Sequence, residues 1–188
     1  VILLGIYPGL LYLLAGRRNP YRWLYAVLGP ALAGVVSGDS YFSLGFQIRN
    51  GKENLGIPRE IGSASFPLFA LFGRAGTAMV SAVSFIVILK SYSSLGVTPM
   101  DLVWVVGFSF LASFTLSSVP GLGTFVALSS LCALYGRGYE EGYLILKPIA
   151  SILVSFSVLL DVVTASFASM LVAHHEGMQA DVDIKEFV

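Results

Sequence analysis

Charge is scarce in this chain. Only 12% of its 188 residues are charged, where soluble domains carry about 25%. Eleven basic and eleven acidic residues cancel, so nothing points to nucleic acid as a partner. There is one cysteine, Cys132, inside an apolar run; it reads as a small packing residue and excludes a disulfide framework. No nucleophile triad, phosphate loop or metal-ligand spacing is present, and an enzyme is not expected. His174-His175-Glu176 reads as a solvated helix end, and Glu140-Glu141 as a solvated loop pair. No initiator methionine or signal peptide is visible, and Val1 opens inside an apolar segment. The sequence reads as a piece of a longer protein.

Apolar residues are abundant, at 56% with a mean hydropathy of +0.81. An integral, multi-pass membrane protein in contact with lipid is expected. A spanning helix needs about 20 apolar residues at 1.5 Å each. The run from Leu102 to Tyr135 is too long for one span and too short for two. Broken at Ser117-Ser118-Val119-Pro120-Gly121-Leu122-Gly123, it gives arms of about 14 and 12 residues, each reaching partway across. Two shapes fit: a re-entrant hairpin, and one span kinked by a Pro-Gly defect. A hairpin tip in lipid strands backbone N–H and C=O groups, so it has to be buried in protein or line a cavity. The stretch from Trp23 to Ile48 repeats the pattern, with Ser37-Gly38-Asp39-Ser40 as its polar tip. Paired interrupted segments are a sequence pointer to a transporter's binding site.

The expected fold is all-α, in the membrane. It has two opposed re-entrant helical hairpins and two broken transmembrane helices. Residues 1–16 end a truncated transmembrane helix, and 17–56 form the first hairpin. Residues 57–92 form a broken helix, interrupted at Gly73-Arg74-Ala75-Gly76, because glycines are poor helix interior. Residues 99–136 form the second hairpin, 140–175 the last broken helix and 176–188 a polar tail ending in solvent. Arg49 to Glu60 reads as a polar link. With this order one face receives Arg17, Arg18, Arg22, Arg49, Lys52, Arg59 and Lys185. The other receives Lys90, Arg137 and Lys147, which places the first face in the cytoplasm.

Three ionisable residues fall at membrane depth: Asp39, Arg74 and Asp161. A charge there costs at least about 2.5–3.5 kcal/mol on insertion scales, so each needs a partner. Arg74 is expected near Asp161 and Asp39, as part of a site or as an ion pair that fixes helix packing. Ser37, Ser40, Thr77, Ser117 and Ser118 offer hydroxyls for a substrate or ion; helix–helix hydrogen bonding is the alternative.

Several stretches carry a resemblance. Arg17-Arg18-Asn19-Pro20 looks like a basic turn before a first hairpin, and Glu53-Asn54-Leu55-Gly56-Ile57-Pro58-Arg59 like an ENLGVP link. Gly76-Thr77-Ala78 matches the end of an NMDGTA motif, Val119-Pro120-Gly121-Leu122-Gly123 a VPGAG tip, and Ala173 to Gly177 the end of a last helix. In this order the chain resembles the dicarboxylate/amino acid:cation symporter, or glutamate transporter, family over nearly its whole length. The resemblance implies cation-coupled symport of a dicarboxylate or amino acid, with Na+ or H+ as coupling ion and no organic cofactor. It implies a plasma-membrane homotrimer and elevator-type movement against an N-terminal scaffold outside this sequence. Substrate contacts would come from Ser37, Asp39, Ser40, Arg74, Thr77, Asp161 and the second tip (Ser117, Ser118, Val119, Pro120 and Gly121), which would act as a gate. Sodium contacts would come from Gly73, Thr77 and Asp161.

The departures from the family bear on function. Gly73-Arg74-Ala75-Gly76-Thr77 lacks the asparagine and aspartate of NMDGT that are expected to bind sodium. The family's last-helix aspartate, arginine, asparagine and aspartate fall at Val154, Ser157, Asp161 and Ala165, so the substrate-clamping arginine is missing. A second class of function stays open: a degenerate relative that binds or senses without transporting.

Overall fold

The computed structural model describes residues 5–14, 20–92, 97–115 and 122–182. Among these residues the regular elements are helical. They are α1 (Tyr7–Leu14), α2 (Pro20–Ser37), α3 (Leu44–Asn54), α4 (Arg59–Phe72), α5 (Ala75–Tyr92), α6 (Pro99–Thr115), α7 (Gly123–Tyr135) and α8 (Ala150–His175). A 3-10 helix, Gly142–Ile149, precedes α8. By length and composition, two helical stretches are long and apolar enough to cross a membrane: Arg59–Ser91, which takes in α4, the break at 73–74 and α5, and Gly142–His175.

Packing centres on α8, which touches α2, α3, α4, α5, α7 and the 3-10 helix. Two apolar clusters flank it. One gathers Trp23, Val27, Ile57, Phe66, Val158, Val162 and Met170. The other gathers Phe85, Ile88, Leu89, Val105, Leu128, Leu131 and Cys132. Cys132 is a buried thiol within the second, as its apolar surroundings predict. Residues 117–121, which the sequence makes a focus, lie outside the described residues, as do 15–19.

Helices α2 and α3 pair antiparallel. Pro30 has no N–H, so the carbonyl of Ala26 loses its helical donor. Asn50 of α3 replaces it, its Nδ2 donating to Ala26 O at 2.7 Å. This corrects the expected polar link from Arg49: α3 runs on to Asn54, and only 55–58 connect it to α4. Gln47, Asn50, Gly51 and Asn54 are buried at helical spacing, and Arg49 pairs with Glu53 one turn on.

Helices α6 and α7 pair at the opposite end of their sequence from the tip. Thr98 N and Oγ1 donate to Asp101 Oδ2 at 3.1 and 2.6 Å, and Asp101 N donates back to Thr98 Oγ1 at 3.3 Å. Tyr135 OH donates to Asp101 Oδ1 at 3.0 Å, joining the end of α7 to the start of α6. The hydrogen bonds from Thr98 hold the Asp101 carboxyl below the usual carboxylate range. Its contribution to stability is complete above its unfolded value of about 3.9 and is lost as pH falls through the lower folded value. Asp101→Asn is expected to weaken this loss; an acid-unfolding curve unchanged by the substitution would count against the cap.

From Ala150 onward α8 is uninterrupted, so the last helix carries its irregular turn at its start rather than within. The tighter 3-10 turn holds Pro148, which removes a helical donor and crowds the carbonyl four residues back.

The described part of the tail, 176–182, is largely exposed and also touches the fold. Gly177, at φ +66°, closes α8: its N–H donates to His174 O and Met178 N to Ala173 O. The chain then folds back on the 55–58 link. Ala180 N donates to Gly56 O at 2.9 Å, and Gln179 Nε2 to Leu55 O at 3.2 Å. Gly56 has φ +67°, and a Cβ there would lie 2.0 Å from Ala180 O. Gly56→Ala should displace this strap, adding about 1–2 kcal/mol of left-handed backbone strain. Hydrogen exchange at Ala180 should accelerate; protection equal to the parent protein's would show that the strap is held by other contacts.

Candidate functional site

The α4–α5 junction organises the buried polar residues. Gly73 N donates to Phe69 O at 2.8 Å, closing α4, and Ala75 N donates to Gly73 O at 2.8 Å. A new helix then begins with amides that have no partner of their own. Asp161 of α8 supplies it. Its Oδ1 accepts from Gly76 N at 2.7 Å and Thr77 N at 3.2 Å, and its Oδ2 from Thr77 Oγ1 at 2.8 Å. A carboxylate at a helix N-terminus also meets the positive end of the helix dipole. Asp161 is therefore a cap for α5 contributed from another helix. The approach depends on Gly76, where a Cβ would lie 2.3 Å from Ser157 O and 2.8 Å from Asp161 N.

Arg74 sits in the junction and is only 5% exposed. It stands two residues before Gly76, whose amide meets the Asp161 carboxylate. Its Nε reaches Ala70 O at 3.5 Å, and its guanidinium lies 5.4 Å from the centre of the Tyr41 ring. Tyr41 belongs to the turn between α2 and α3, and its N–H donates to Asp39 Oδ1 at 2.9 Å. The first polar turn, the junction and α8 are thereby linked through Asp39, Tyr41, Arg74 and Asp161.

A second polar contact lies one turn earlier on α8. Ser157 Oγ and Thr124 Oγ1 are 2.5 Å apart and buried, tying the start of α7 to α8. Ser157 occupies the position where the resemblance leads one to expect an arginine. Thr124 shares the buried face of α7 with Ala127, Leu128 and Leu131, a spacing that could have revealed it. Val154 and Ala165, the other substituted positions, are buried and apolar.

The remaining candidates divide. Thr77, Arg74 and Asp161 come together. Ser37 bonds within its own turn, donating to Gly34 O and accepting from Asp39 N. Ser40 is buried, with its carbonyl accepting from Ser43 Oγ at 2.8 Å. Ser117, Ser118, Val119, Pro120 and Gly121 lie outside the described residues. Gly73 O, Thr77 Oγ1 and the Asp161 carboxylate are hard oxygens of the kind sodium takes, but each is hydrogen-bonded within the fold. Among the described residues no three His, Cys, Asp or Glu side chains stand together as a metal cluster.

A family model described as the sodium:dicarboxylate symporter family matches residues 1–175. Curated relatives include the neutral amino acid transporter B(0) of Homo sapiens and of Macaca fascicularis. Each is 27% identical over 114 residues, which are 61% of this chain and 20% of the relative. The Bos taurus protein of the same name matches to the same extent. The chain thus spans about a fifth of the length of the curated relatives it matches.

Proposed function

The chain belongs to the sodium:dicarboxylate symporter family, and we propose that it is the transport-core part of a secondary transporter for small amino acids without a charged side chain. The observation that carries this reading is Ser157. It stands, paired with Thr124, where the resemblance implies the arginine that clamps a substrate's side-chain carboxylate. A hydroxyl pair offers neutral hydrogen bonds there and no charge to hold a second carboxylate. The similarity to proteins named neutral amino acid transporters supports the same substrate class.

In this reading the α2–α3 and α6–α7 pairs are re-entrant hairpins, and the break at Gly73-Arg74 lies at mid-membrane. The substrate contacts are Thr77, Ser157 and Thr124, with the turn at Asp39–Tyr41 beside them. Arg74 supplies a fixed positive charge next to Asp161, where the resemblance implies a sodium ligand set. Coupling to sodium is then weaker at this site than in relatives that carry the full motif, because a second cation would be repelled. Movement is of the elevator type, against N-terminal helices outside this sequence, in a plasma-membrane trimer.

The test is counterflow by the full-length protein in liposomes, with a panel of amino acids and dicarboxylates, with and without a sodium gradient. Neutral amino acids should exchange faster than dicarboxylates, and Arg74→Ala should change the cation dependence. Equal exchange of dicarboxylates would overturn the substrate class. Binding without exchange would favour a non-transporting relative.

A further inference from the structure

Between α2 and α3 lies a groove of about 300 Å³, apart from the polar cluster at the α4–α5 junction. The antiparallel pairing gives it two unlike ends. Leu32 and Phe46, 47% and 46% exposed, form the apolar end. Arg49, Asn50 and Glu53 form the polar end.

Asn50 is 5% exposed, and its Nδ2 is held by the Ala26 carbonyl that Pro30 leaves without a donor. That bond fixes the amide's orientation, since the reverse would set two acceptors face to face. Its Oδ1 then has no donor among the described residues. A buried acceptor without a donor is costly, and the groove it lines has room for one. Arg49 reaches Glu53 through Nε at 3.2 and 3.3 Å, and both side chains remain accessible, at 67% and 51%. The polar end therefore presents a buried acceptor, a carboxylate and a guanidinium, directly beside an apolar wall.

The complement of that set is a cationic N–H donor next to an anion, attached to an apolar chain. We propose that this groove binds the headgroup of an ethanolamine phospholipid. The ammonium donates to Asn50 Oδ1 and Glu53, the phosphate meets Arg49, and an acyl chain follows Leu32 and Phe46. Choline carries the charge but no N–H, and a glycerol headgroup has hydroxyls but no positive charge. The level also fits: Arg49, Lys52 and Glu53 at the end of α3 and Arg59 and Glu60 at the start of α4 gather charge at this end of the helix pair, as at a headgroup layer. The inference rests on the chain being a membrane protein and is independent of what it transports.

The test is lipid retention by the purified full-length protein, read by native mass spectrometry. The probes are phosphatidylethanolamine, its N-methyl and N,N-dimethyl forms, and phosphatidylcholine, all with matched acyl chains. Retention should favour ethanolamine over choline by at least about tenfold, the ratio expected for losing a charge-assisted hydrogen bond, and fall with each methyl added. Glu53→Gln should remove most of that preference, whereas Arg49→Gln, at the phosphate common to all four lipids, should lower retention of each alike; the melting midpoint stays unchanged in both, since both side chains are exposed. Equal retention of the two lipids overturns the proposal, as it would if N-terminal helices fill the groove. A preference that survives Glu53→Gln also overturns it, because the selectivity then lies elsewhere.

Discussion

Gly76→Ala is expected to abolish folding of the α4–α5 junction and transport with it. The added Cβ would stand 2.3 Å from Ser157 O, 2.6 Å from Leu160 Cβ and 2.8 Å from Asp161 N. Two of these are backbone atoms of α8, the helix on which most of the others pack, so no side-chain rotation relieves the clash. Overpacking typically costs about 1–3 kcal/mol and more where the neighbours are rigid. Moving α5 away also breaks the bonds from Gly76 N and Thr77 to Asp161. The yield of folded protein and its melting midpoint measure the effect. A Gly76→Ala protein that melts like the parent would show that α5 and α8 lie farther apart than described.

Asp161→Ala is expected to be nearly as damaging, by a different route. It removes the acceptor for Gly76 N, Thr77 N and Thr77 Oγ1, in a junction that also holds the buried Arg74. Breaking a buried pair by removing one partner costs about 3–5 kcal/mol, whereas replacing both by apolar groups can be close to neutral. Arg74→Met added to Asp161→Ala should therefore recover part of the lost stability. A double-mutant cycle reads the coupling directly, and residues in one network couple by about 0.5–3 kcal/mol. Strictly additive losses would mean that Arg74 and Asp161 act independently, and the charge pairing would have to be given up.

Much of this arrangement could be read before any coordinates. Arg74 between two glycines announced a helix interruption, because glycine weakens helix interior and a charge in an apolar run needs a partner. The structure ends α4 at Phe72 and starts α5 at Ala75. The nearness of Arg74 to Asp161 followed from the cost of isolated charge in such a setting. What sequence could not give is which atoms meet across long separations. The cap from Asp161 to α5 joins residues 84 and 85 apart, and nothing local in either helix encodes it. Tyr41 under Arg74 and Thr124 against Ser157 are contacts of the same kind. The tail reads as polar and solvated, and residues 176–178, 180 and 181 are exposed. Its docking comes from backbone groups of Leu55 and Gly56, which composition does not report. Charged residues at 49, 52 and 53 read as a loop, and the length of α3 shows only in the buried face at 47, 50 and 54.

The most direct measurement is a density map of the full-length protein with a neutral amino acid bound. The substrate is expected beside Thr77 and Ser157, at the depth of the α4–α5 break and within reach of the Asp39–Tyr41 turn. Substrate density away from these residues, or the Asp39–Tyr41 turn lying outside the lipid, would contradict the account.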